Sequence, residues 1–65
     1  MNEWHDLTEN PEDLPPLDER YPDSLCSESV IADTGDSVTY CFPEKRWHLD
    51  DTTWLEVDVK KWRNR

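Results

Sequence analysis

Sixty-five residues carry sixteen acids and seven bases, a formal net charge of −9. A chain this short is one domain (residues 1–65) and buries only about 60% of the surface its unfolded form exposes, which leaves little room for both a core and a preorganised site and argues against an enzyme. Its charge repels bare nucleic acid and anionic membranes and favours basic protein surfaces, many of which belong to nucleic-acid-binding proteins. Hydrophobic residues make up 34% and charged residues 35%, a balance that leans toward disorder. Four Trp, two Tyr and one Phe oppose it, because each aromatic buries about 150–250 Å².

The charge divides along the chain. Residues 1–30 hold nine acids and one base, giving −8; residues 31–65 hold seven acids and six bases, giving −1. The opening MNEWHDLTENPEDLP lacks the basic start and apolar run of a signal peptide. No stretch approaches the roughly 18 apolar residues of a membrane span, so the expected location is the cytoplasm.

Residues 8–24 carry four of the five prolines. Proline lacks an amide donor and restricts the residue before it, so an extended or turn-rich arm is expected, with one short helical turn at Pro11–Leu14 capped by Asn10. Trp4 and Leu7, then Leu14 and Leu17, anchor the arm (residues 1–28) to the fold. Residues 29–62 read as a sheet. Ser29–Ala32 is a strand, Asp33-Thr34-Gly35-Asp36 a turn, and Ser37–Phe42 a strand with Val38, Tyr40 and Phe42 on one face. After a turn at Pro43-Glu44-Lys45 comes Arg46–Leu49, with Trp47 and Leu49 sharing a face and His48 turned to solvent. Trp54–Val59 alternates again, with Leu55, Val57 and Val59 on one side. The expected fold is mainly β (a small α+β arrangement is the alternative): three to four mostly antiparallel strands in consecutive hairpins, with an irregular Pro/acid-rich N-terminal arm.

Cys26 and Cys41 read as free thiols in a reducing compartment, with Cys41 a small buried hydrophobe. A zinc site would need His5 and His48 as partners, and no C-x-x-C or H-x-x-x-H spacing is present. No metal and no cofactor is therefore expected. His48, Asp50 and Cys41 are the nearest approach to a catalytic set, and no preorganising shell surrounds them.

Glu3-Trp4-His5-Asp6-Leu7, Pro11-Glu12-Asp13-Leu14-Pro15, the Val-rich hairpin at 30–42 and the closing Val59-Lys60-Lys61-Trp62 together resemble a family of small phage and prophage proteins whose domain has no assigned function. The resemblance spans nearly the whole chain and implies a fold and a phage setting. It brings no catalytic residue with it. The segment from Pro16 to Ser29 is more acidic than that pattern, and Arg63-Asn64-Arg65 replaces its proline-rich tail. Phage encode small acidic inhibitors of nucleases, CRISPR effectors among them. The expected function is thus inhibition of a basic, nucleic-acid-binding host protein by nucleic-acid mimicry. The candidate contacts are Glu9, Glu12, Asp13, Asp18, Glu19, Asp23, Glu56 and Asp58. Alternate residues of a strand lie about 6.6 Å apart, near the spacing of alternate phosphates, which would suit Glu56 and Asp58. The alternative is a structural or adaptor module docking through aromatic residues or a sheet edge. Neither reading involves direct nucleic-acid or membrane binding, and the chain is expected to be a monomer or weak homodimer.

Overall fold

The computed structural model describes residues 4–65; Glu3 of the opening motif lies outside them. The described residues form one antiparallel sheet of six strands. The strands are β1 (His5–Asp6), β2 (Val30–Ala32), β3 (Ser37–Cys41), β4 (Arg46–Leu49), β5 (Glu56–Val57) and β6 (Lys61–Arg63). Their spatial order is β1-β6-β2-β3-β4-β5. Strands β2 to β5 are the expected meander. The sheet exceeds the expected three or four strands because both chain ends join it: β6 returns to the free edge of β2 and β1 pairs with β6. Both edge strands are two residues long, and short edges offer little template for pairing with another chain.

The alternation read from the sequence sets the core. Val30, Ala32, Val38, Tyr40, Trp47, Val59 and Trp62 form a buried cluster, with Leu7, Leu14, Phe42, Leu49 and Val57 packed against it. Trp62 lies opposite Ala32 on one side and His5 on the other. Its ring stacks on the His5 ring at 4.0 Å, and its indole N–H donates to Asp13 O at 2.7 Å. One aromatic thereby ties the last strand, the first strand and the arm together. Tyr40 meets Phe42 and Trp47 edge to face, each at 5.1 Å, the arrangement aromatic quadrupoles prefer.

The arm is hydrogen-bonded rather than merely laid on the sheet. Leu7 N–H donates to Lys60 O, Asp18 N–H to Cys26 O and Glu28 N–H to Pro16 O, so residues 16–18 run antiparallel to 26–28. Pro15 is fully buried. Leu7 and Leu14 pack as expected, whereas Trp4 and Leu17 stay partly exposed, Trp4 under the Arg63 guanidinium at 5.5 Å. The expected helical turn at Pro11–Leu14 is instead a simple turn in which Asp13 N–H donates to Asn10 O. The single 3₁₀ turn among the described residues falls at Pro22–Ser24, with a proline near its start.

The last expected strand shortens to Glu56–Val57 because the loop before it leaves extended geometry. Asp51 Oδ1 accepts from the Thr53 amide, the Thr53 hydroxyl and the Trp54 amide, and Trp54 takes a φ of +50°. That turn throws Leu55 outward, 57% exposed, against its expected place beside Val57.

Candidate functional site

The two faces of the sheet differ in chemistry. Register places Thr39 opposite His48 and Cys41 opposite Arg46, on the side away from Val38, Tyr40 and Trp47. Thr39, Cys41 and His48 are nevertheless buried. The expected solvent-facing His48 is corrected: only 7% of it is exposed. Trp54 covers it, its ring stacked on the imidazole at 4.8 Å and 6°. The segment 24–29 covers the neighbouring residues. Ser27 Oγ accepts from Tyr40 N–H at 2.9 Å and donates to Glu28 O, which replaces a ladder bond where the strand bulges.

Between this segment and the 50–54 loop lies an open groove of about 360 Å³. Tyr21 and Trp54 stand on its lining, 64% and 41% exposed. Ser24, Cys26, Ser27, Ser29, Thr39, the carboxylates of Asp18 and Asp50, and Arg20, whose guanidinium lies over the Tyr21 ring at 5.7 Å, complete it. Asp50 Oδ2 accepts from Ser29 Oγ at 2.5 Å and from Ser37 Oγ at 3.4 Å. Sequence reasoning did not single out Tyr21, Asp50 or Trp54 as contacts, because only the fold brings residues 21 and 54 to one groove.

The eight carboxylates taken from the sequence separate into two groups. Glu9, Glu12, Glu19, Asp23 and Asp58 are exposed and have no side-chain hydrogen bond or ion pair among the described residues. Asp13, Asp18 and Glu56 are engaged internally. Asp13 Oδ2 sits 2.7 Å from His5 Nδ1. Asp18 receives Arg20 Nε and a terminal guanidinium nitrogen, each at 3.2 Å, and those bonds hold its carboxyl below the ordinary aspartate value. Glu56 pairs with Arg46. Asp58 lies beyond the end of β5, near Lys45 and Arg46 in a second open groove. Of the pair expected to make an even phosphate-like step, Glu56 lies in β5 and Asp58 just past its end.

A second cluster adjoins the first groove. Ser27 N–H donates to Tyr40 O and Phe42 N–H to Leu25 O, so Cys26 and Cys41 face each other as a non-hydrogen-bonded pair, the geometry that brings side chains closest. Their sulfurs are 2.8 Å apart and both are free thiols. Burial, then the hydrogen bond with Cys26, pushes the Cys41 thiol up to about 12. Cys41, Glu44 and His48 hold their ligand-type atoms within 4.8 Å of one another.

Comparison with protein-family models, with curated proteins and with solved structures gave no match to this chain. Among the described residues no helix is long and apolar enough to cross a membrane.

Proposed function

We propose that this protein binds the basic surface of a partner protein, seating a Lys- or Arg-rich element in the Tyr21–Trp54 groove. The observation that carries the reading is the pairing of two exposed aromatic rings with carboxylates along one groove. A cation over an aromatic face gains about 0.5–2 kcal/mol, and a carboxylate beside it adds a charge-assisted hydrogen bond. Asp50 supplies that carboxylate and Trp54 the ring open to an incoming cation, because Arg20 already pairs with Asp18 and lies over Tyr21. Glu19 and Asp23 flank Tyr21 in sequence and present unpaired charge to the approaching partner. Over longer range the −9 charge speeds encounter with a basic protein. Among basic proteins the reading favours one that binds nucleic acid, whose groove the acidic surface would fill. The protein would then act as an inhibitor of the phage type.

Capture from bacterial lysate with mass spectrometry, followed by binding measurements on the recovered protein, tests this. Binding should weaken at least tenfold between about 50 and 500 mM salt, since exposed charges are screened over about 10 Å at 0.1 M. Glu19→Gln with Asp23→Asn should slow association, and Tyr21→Ala with Trp54→Ala should speed dissociation. Binding that ignores both salt and the carboxylate changes, yet fails without the aromatics, identifies an apolar docking module instead. A complex that still binds nucleic acid rejects the inhibitory reading and leaves the binding reading standing.

A further inference from the structure

The cysteine–histidine cluster adjoins that groove, sharing Cys26 and the Trp54 ring stacked on His48 with its lining. Cys41 and His48 share a sheet face because the β3–β4 register places Thr39 opposite His48. Glu44 comes from the turn between those strands, and its Oε2 lies 3.4 Å from His48 Nε2. Cys26 enters from the adjoining segment, its sulfur 2.8 Å from that of Cys41.

The imidazole carries the decisive detail. His48 Nδ1 lies 3.2 Å from Trp54 O. A carbonyl only accepts, so Nδ1 carries a proton, and in the neutral imidazole Nε2 presents its lone pair. That Nε2 is buried without a hydrogen-bond partner among the described residues, for its approach to Glu44 lacks hydrogen-bond geometry. A buried acceptor without a donor is costly. A metal-ligating histidine has this same arrangement: one nitrogen fixed by a carbonyl, the other aimed at the ion. The stacked Trp54 ring holds the imidazole plane.

We propose that Cys26, Cys41, Glu44 and His48 form a site for a divalent cation of the zinc class. Two thiolates, one imidazole and one carboxylate are a borderline-soft donor set that suits zinc. Bond lengths of about 2.0–2.3 Å place tetrahedral ligand atoms roughly 3.3–3.8 Å apart. Cys41, Glu44 and His48, whose ligand atoms lie within 4.8 Å of one another, must draw in by about 1 Å, and the Cys26 sulfur, outside that group and now against Cys41, must turn toward the other two. On binding, the cation displaces one proton from each thiol and takes the Nε2 lone pair of His48. Four protein ligands leave no open position, so the site is structural: it clamps residue 26 to the β3–β4 hairpin. The sequence hides it because Cys41-x-x-Glu44-x-x-x-His48 lacks a paired-cysteine signature and the fourth ligand lies fifteen residues upstream of Cys41.

The test is cobalt titration of the reduced full chain, followed by zinc competition. One Co²⁺ per chain should produce thiolate charge-transfer and tetrahedral d–d absorption, and zinc should abolish both. Outer-shell changes already cost about 10–100-fold in metal affinity; Cys41→Ser and His48→Gln should each cost about 100-fold or more. Cys26→Ser, at a half-buried position, should lose one thiolate's charge-transfer intensity while keeping the wild-type circular dichroism. Stoichiometric zinc should also protect both thiols of the unaltered chain from iodoacetamide, a readout that needs no variant. Reduced chain without tetrahedral cobalt bands, or thiols left open to alkylation under zinc, overturns the site. If the same chain readily forms a Cys26–Cys41 disulfide and takes no cobalt when reduced, the pair is a redox couple.

Discussion

The two faces of the sheet bury comparable residues by different means. On one face Val30, Val38 and Ala32 need only shape, and Trp62 adds a single indole N–H that the arm satisfies at Asp13 O. On the other, Thr39, Cys41, His48 and Ser27 are covered by segment 24–29 and Trp54, and each brings a polar group that must be satisfied. Apolar burial stabilises without direction, whereas polar burial stabilises only where a partner stands in the right place. The difference explains why both the groove and the cysteine–histidine cluster lie on the polar side, and why His48 Nε2 is left orphaned there.

The sharpest way to break the contrast is to remove one side chain from each face. Trp62→Ala should cost about 3–5 kcal/mol, enough to unfold much of a domain this small; urea denaturation followed by circular dichroism measures it. Ser27→Ala removes a single oxygen on the polar face and should cost about 1–3 kcal/mol, because the Tyr40 amide loses its acceptor inside the fold. If Ser27→Ala proves neutral, the polar face is looser than its hydrogen bonds indicate.

The same contrast has a pH signature. A Cys41 thiol raised from 9.0 to about 12 favours the folded chain while it stays neutral. Its contribution is full below pH 9 and disappears as pH climbs toward 12. Metal-free protein should thus show a falling urea midpoint above pH 9, and Cys41→Ala should flatten that fall. At the acid end the sign reverses. Asp18, bonded to Arg20, and Asp6 and Asp51, bonded by Thr8 and Thr53, sit below the ordinary 3.8. Their contribution holds above that value and is lost as pH drops through the lowered pKa values, so the midpoint should decline below about pH 4. The smallest effect belongs to the turn between β3 and β4. Lys45 has a φ of +57°, where glycine pays no Cβ penalty, so Lys45→Gly should stabilise by about 0.5–1 kcal/mol. Thermal unfolding would detect it as a rise of a few degrees.

Much of this sheet was legible locally. The β-branched and aromatic alternation marks β2, β3 and β4, and Gly35, with a φ of +93°, marks the turn between β2 and β3. Lys61-Trp62-Arg63 carried no comparable signal. Three residues in a basic tail become a strand only because β1 and β2 stand on either side, a pairing across nearly the whole chain to β1 and about half of it to β2. His48 misled for a related reason. Alternation correctly turned it away from Trp47, but a loop six residues on, bent by Asp51, decided that the outer side was covered. Two of the eight candidate carboxylates have internal partners for the same cause: sequence counts charges, and only the fold brings Arg46 to Glu56 and His5 to Asp13, whereas Asp18 finds Arg20 two residues along the chain.

Composition and periodicity by themselves determined that this is a small β protein with an aromatic core and a front half at −8, because side-chain period and net charge are local properties of the chain. Tertiary structure alone decided where the ends pair, that Tyr21 and Trp54 share a groove, and that Cys41, Glu44 and His48 gather beside Cys26. Those outcomes depend on register and on loops crossing a sheet face, and a one-residue slip in register would turn every side chain of a strand to the other side.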